Sequence, residues 1–224
     1  MPRGAVIFDL DGTLVDSAPD IAFAANCALA DLGLAPREAE EVRGFIGNGA
    51  EKLIHRCLTG ALDGIAETAR FEEAYRAFQT HYQDNLSVRT VIYPGVVETL
   101  SALREDGYAL ACVTNKPARF TEPLLEQLSL SPYFGVTLSG DSLPVKKPDP
   151  APLLHTLGKL GVAAGNGAMV GDSMADLRAG RAAGTAVFCV SYGYSPHVDL
   201  REHAPDALVD HFGELLGLLR ARLG

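Results

Sequence analysis

Positive charge is scarce in this chain of 224 residues. Nineteen lysines and arginines face 28 aspartates and glutamates, for a formal charge of −9. That balance argues against nucleic acid or an anionic membrane as a partner. Cysteine is scarce too: Cys27, Cys57, Cys112 and Cys189 form no C-x-x-C, and the last two sit in apolar, strand-like runs. Buried, reduced thiols and a cytoplasmic home are expected, rather than disulfides or zinc. No apolar run approaches the roughly 20 residues of a membrane span, and Met1-Pro2-Arg3 leads into a strand with no secretory leader. There is no G-x-x-x-x-G-K-[ST], which excludes a P-loop. Gly47-Asn48-Gly49 lacks the third glycine of a dinucleotide fingerprint. The six histidines show no H-E-x-x-H spacing and read as surface or packing residues. Ser173 has no G-x-S-x-G context. Repeats and low-complexity segments are absent.

What the chain does have is apolar mass, 47% of its residues, enough for a substantial core. One stretch stands out: Ala5-Val6-Ile7-Phe8-Asp9-Leu10-Asp11-Gly12-Thr13. An unbroken apolar run reads as a strand buried on both faces, as in parallel α/β sheets. Asp9 and Asp11 fall just past its carboxyl end, where such sheets carry their chemistry. Two carboxylates that close repel, and will share a proton or a cation.

After Thr13, the pattern over residues 16–86 is helical throughout. Ser17 is the expected N-cap of the first helix, whose stripe of Ile21, Ala25, Ala28, Leu29 and Leu32 ends at Gly33. A short helix over 38–45, another opened by Gly47-Asn48-Gly49 and running to about Leu58, and a longer one over 65–85 follow. Phe71, Ala74, Tyr75, Phe78 and Tyr82 in the last recur at helical spacing and read as core packing. From Val91 onward helices and strands alternate: helix 95–106, strand 108–114, helix 117–128, strand 136–139, helix 150–160, strand 167–170, helix 174–183, strand 186–190, strand 207–209 and helix 211–222. The fold class is therefore α/β, a Rossmann-like parallel sheet formed by residues 1–15 and 87–224. An all-helical segment, 16–86, is inserted after the first strand, where it can act as a lid.

The predicted strand ends carry Thr114-Asn115, Lys146-Lys147-Pro148-Asp149-Pro150 ahead of a helix, and Gly171-Asp172-Ser173-Met174-Ala175-Asp176. Together with Asp9 and Asp11 they bring carboxylates, lysine, hydroxyl and amide to one sheet edge. Oxygen ligands of this kind suit Mg²⁺ with a phosphate. Two unit charges at about 4 Å repel by roughly 4 kcal/mol at an effective dielectric near 20. Several carboxylates facing a phosphate dianion therefore need a cation beyond one lysine. A calcium loop at Asp9 is disfavoured, because the sixth position is Leu14 rather than glycine.

These motifs resemble the haloacid-dehalogenase superfamily of phosphatases. Asp9-Leu10-Asp11-Gly12-Thr13, Thr114-Asn115, Lys147 and Gly171-Asp172-Ser173-x-x-Asp176 match its four motifs in order. Phe45-Ile46-Gly47-Asn48-Gly49-Ala50, Lys146 to Leu154 and Tyr192-Gly193-Tyr194 are similar to the bacterial phosphoglycolate phosphatases within it. The resemblance implies Asp9 as nucleophile, Asp11 as acid and base, and Mg²⁺ held by Asp9, the Asp11 carbonyl and Asp172. It implies Thr114, Asn115 and Lys147 on the transferring phosphoryl group, with Asp176 and Ser173 in support. The partner it implies is a small phosphorylated metabolite, and the protein a monomer or homodimer. For the leaving group, the backbone N–H groups at Asn48 and Gly49, with Arg43 and Lys52 nearby, suggest an anion site. Dehalogenase, phosphonoacetaldehyde hydrolase, β-phosphoglucomutase and a non-catalytic binding module are alternatives, as is a phosphatase for another small phosphoester or pyrophosphate. The presence of Asp11 speaks against the first two, and the intact acids and Lys147 against the binding module.

Overall fold

A computed structural model describes residues 2–195 and 198–224. Met1, Pro196 and His197 lie outside the described residues. The first strand, β1 (Ala5–Phe8), is fully buried, as an apolar run without polar alternation demands. Its side chains alternate between two cores. Val6 and Phe8 join the larger one, while Ala5 and Ile7 face the smaller one with Leu153, Leu157 and Met169.

The chain then makes a short strand, β2 (Val15–Asp16), before four helices: α1 (Ala18–Asp31), α2 (Ala39–Arg43), α3 (Ala50–Thr59) and α4 (Thr68–Asp84). It returns through β3 (Val91–Ile92), which pairs antiparallel with β2. Entry to and exit from the helical segment are thus tied into one ribbon. A second tie is Asp20. Its carboxylate, fully buried in the first turn of α1, accepts from the Arg89 and Thr90 N–H groups and from the Thr90 hydroxyl.

The rest alternates: α5 (Val96–Glu105), β4 (Ala109–Val113), α6 (Ala118–Gln127), β5 (Val136–Leu138), α7 (Ala151–Leu160), β6 (Gly167–Gly171), α8 (Met174–Ala183), β7 (Ala186–Val190), β8 (Ala207–Val209) and α9 (Leu215–Leu223). The six-stranded sheet runs β5-β4-β1-β6-β7-β8, with every neighbouring pair parallel. β1 lies between β4 and β6, in a register that sets Phe8 level with Cys112 and Val170. The residues next in sequence, Asp9, Val113-Thr114 and Gly171-Asp172, therefore leave the sheet at one edge.

Two local expectations change. Ser17 precedes α1 but makes no cap bond to the helix; its hydroxyl turns to Asp11 instead. The helix expected at 211–222 begins as a 3₁₀ turn, Phe212–Glu214, before α9. All four cysteines are free thiols. No helix of the described residues is long and apolar enough to cross a membrane.

Candidate active site

Asp9 leaves β1 with its N–H on the Val170 carbonyl, 2.9 Å away, so the sheet ladder fixes where its side chain starts. Lys147 Nζ reaches the same place from the loop before α7. It donates to the Val113 carbonyl (2.6 Å) and to Asp176 Oδ1 (2.7 Å), and lies 2.8 Å from Asp9 Oδ1. The last contact is a short, buried ion pair.

Asp172 and Asp176 come from the β6–α8 junction. Asp176 Oδ2 accepts from the Ser173 N–H and hydroxyl at the mouth of α8. Asp176 is thus both a helix-start acceptor and the second counter-ion of Lys147. Asp172 accepts from the Thr13 hydroxyl (3.1 Å) and the Tyr194 N–H (2.7 Å). It is wedged between two glycines. A Cβ on Gly12, whose φ is +86°, would lie 2.5 Å from Asp172 Oδ2, and one on Gly193 2.1 Å from Asp172 Cβ.

Ligand oxygens of Asp9, Asp172 and Asp176 lie within 4.8 Å of one another. Burial pushes the Asp9 carboxyl up to about 7, against the pull of Lys147 and with Asp176 adding to the rise. Burial, then Asp9 and Asp176, also raise Asp172. Burial disfavours the Lys147 charge, but Asp176 and Asp9 outweigh it and hold the ammonium protonated. One lysine among three buried carboxylates leaves an excess of negative charge. Buried like charges are stable only with a compensating cation. These residues therefore fit a divalent metal ion with oxygen ligands.

Asp11 is placed apart from that cluster. Its carboxylate accepts from the Ser17 hydroxyl (2.5 Å) and, through both oxygens, from Lys116 Nζ (3.0 and 3.1 Å). Lys116 was not singled out by the sequence. It is buried, and its ammonium also donates to the Tyr82 hydroxyl at 2.6 Å. The signal that could have found it is its position directly after Thr114-Asn115, past the end of β4. The aromatic stripe of α4 is packed as expected, yet Tyr82 adds this polar contact and packs tilted against Phe120 of α6, ring centroids 4.9 Å apart.

The proposed phosphate holders divide. Thr114 is buried, and its hydroxyl oxygen accepts the Lys116 N–H. Asn115 Nδ2 is spent on the Gly47 and Lys147 carbonyls, so its amide links the helical segment to the lysine loop. Of the four residues suggested for the leaving group, only Gly49 borders the cavity over Asp9 and Asp11. Asn48 Oδ1 accepts from Arg56. Arg43 pairs with Asp16 at 3.2 Å, lies over the Tyr194 ring and stays outside the cavity. Lys52 is exposed on α3. Sequence proximity to a glycine turn did not imply orientation toward it. The cavity holds about 40 Å³ of free space between Asp9, Asp11, Thr114, Asn115 and Lys116 on one side and Ile21, Ile46, Leu53, Phe78 and Tyr82 on the other.

The chain matches the family described as haloacid dehalogenase-like hydrolase over residues 6–190. It belongs to that family. It is similar to a phosphoglycolate phosphatase of Nitrosococcus oceani, 45% identical over 96% of this chain and 95% of that one. A phosphoglycolate phosphatase of Nitrosospira multiformis is 47% identical over 98% and 97%. Among solved structures, one described as a predicted phosphoglycolate phosphatase from Haemophilus somnus superposes with a TM-score of 0.89. It is 36% identical and covers 97% of this chain and 99% of that one.

Proposed function

We propose that this hydrolase is a Mg²⁺-dependent phosphatase that cleaves 2-phosphoglycolate to glycolate and phosphate through an aspartyl phosphate on Asp9. The observation that carries the chemistry is Asp9 itself: a buried carboxylate facing a cavity, grouped with two further carboxylates around one lysine. The high similarity to phosphoglycolate phosphatases over nearly the whole chain supports the substrate.

Asp9 and Asp172 would hold the metal, with Asp176 kept in place by Lys147 and Ser173. When bound, Mg²⁺ supplies positive charge against the carboxylates and the phosphate oxygens. Asp9 Oδ1 then attacks phosphorus, and the bond to the leaving oxygen breaks. Lys147 keeps the nucleophile oriented and offsets part of its charge. Asp11 gives a proton to the leaving alkoxide and later takes one from the water that cleaves the acyl phosphate. Ser17 and Lys116 hold Asp11 at the cavity wall for that purpose. Splitting the reaction in two suits phosphate monoesters, whose hydrolysis calls for accelerations of up to about 10²¹-fold.

Residues 16–86 serve as the cap. Its Gly47 carbonyl and Tyr82 hydroxyl touch Asn115 and Lys116, which supports a cover that seals the site against water. A cytoplasmic location agrees with four unpaired thiols. The test is phosphate release from a panel of small phosphoesters with Mg²⁺ and with chelator. Release from 2-phosphoglycolate that is strongest among them, and lost with chelator, is expected; release from none would overturn the assignment.

A further inference from the structure

Arg43 and Lys52 do not reach the cavity, which leaves the recognition of a charged leaving group to some other residue. We propose that Lys116, steadied by Tyr82, binds the second anionic group of the substrate, the carboxylate on its leaving alcohol. The proposal rests on the phosphatase reading above and names what selects its substrate.

Lys116 is the one cation among the described residues lining the cavity. Its side chain is 3% exposed. A counter-ion for Asp11 alone would need no cavity access, yet Lys116 borders the same space as Asp9. Its neighbour adds a second donor. The Tyr82 hydroxyl accepts from Lys116, and among the described residues its own proton has no acceptor. Burial pushes that phenol up to about 12, so the proton stays on. An ammonium and a free O–H side by side are a fitting receptor for a carboxylate.

The side-chain walls that the helical segment adds beside Tyr82 are apolar. Ile21, Ile46, Leu53 and Phe78 offer nothing to a charged group and little room to a large one. A leaving alcohol of about two carbons, with its charge at the far end, would set phosphorus at Asp9 and its carboxylate at Lys116. A neutral alcohol of that size leaves the donors unanswered, and a cationic one meets like charge.

The experiment compares kcat/KM with Mg²⁺ for three phosphoesters of two-carbon alcohols: 2-phosphoglycolate, ethyl phosphate and phosphoethanolamine. The wild type is expected to prefer phosphoglycolate over ethyl phosphate by about 100-fold or more, with phosphoethanolamine last. Lys116→Gln, which keeps a donor for Asp11 without the charge, and Lys116→Met should cut that preference at least tenfold, mainly through KM for phosphoglycolate. Lys116→Arg should retain most of it, and Tyr82→Phe should lower it severalfold. A preference unchanged within twofold in the Gln and Met variants, whatever their absolute rates, would reduce Lys116 to the counter-ion of Asp11 and overturn the proposal while the phosphatase reading stands. A wild type that favours ethyl phosphate would overturn both the proposal and the phosphoglycolate assignment. Should both variants fail to fold, inhibition of the wild type decides. Competitive inhibition by glycolate and none by ethylene glycol supports the proposal, and equal effects of the two overturn it.

Discussion

The sheet edge and the helical cover meet at one cavity but are built on different principles. At the edge, Asp9, Asp172, Asp176 and Lys147 are buried and held by strand register, ion pairs and hydrogen bonds. Several positions are over-determined. Asp172, for example, has two donors and a glycine on either side. The cover contributes mostly backbone and apolar surface, with Gly47, Ile46 and Phe78, and one hydroxyl on Tyr82. A fixed charge cluster can stabilise a reacting phosphoryl group without reorganising. A mostly apolar wall can only exclude, so selection falls to the few polar groups it presents.

The sharpest way to break this division is at Asp9, the proposed nucleophile. Asp9→Asn should lower turnover by about 10⁴-fold or more, yet unfold no more easily, because it removes one of three crowded buried carboxylates. Residual activity near wild type would place the chemistry elsewhere.

Charge balance is the next target. Lys147→Ala leaves Asp9 and Asp176 buried without their cation and should cost about 3–5 kcal/mol, read from urea unfolding. Added Mg²⁺ should work the other way, by about 2.7 kcal/mol at a hundredfold excess over its Kd. Its effect should grow with pH. Folding raises Asp9 above its ordinary 3.8 to about 7, so folding favours the protonated form. That contribution is full below about pH 4 and is lost as pH rises through about 7. Metal-free protein should therefore be less stable at pH 8 than at pH 6, and a thermal shift with Mg²⁺ should be larger at pH 8.

Smaller effects sharpen the boundary between the two regions. Tyr194 comes from the sheet side, and its hydroxyl accepts from the Ser17 and Ala18 N–H groups and bonds Asp16 at the start of the cover. Tyr194→Phe leaves those N–H groups buried and should cost about 1–3 kcal/mol. Lys52→Ala marks the lower end. An exposed side chain outside the cavity should leave KM for phosphoglycolate within twofold, and a larger rise would return the leaving-group site to the start of α3.

The sheet edge was legible in the residues because its information is local. An apolar tetrad running into Asp9-Leu10-Asp11-Gly12 announces both a strand and the acids at its end, and Gly171-Asp172 repeats the grammar on β6. The cover was legible as helices but not as a site. Periodicity marked Tyr82 as buried without saying that its hydroxyl meets Lys116, 34 residues away. Arg43 stood close to a glycine turn in sequence, but a carboxylate on β2 and the face of Tyr194 hold it away from the cavity.

By itself the sequence determined the parallel sheet, the helical insertion and the acids gathered at the sheet edge, since hydrophobic period and strand-end residues depend on neighbours along the chain. Only the tertiary structure decided which cation borders the cavity and how Asp11 is held. Those outcomes turn on which side chains find a partner across the joint between sheet and cover, where burial makes each unpaired charge too costly to leave alone.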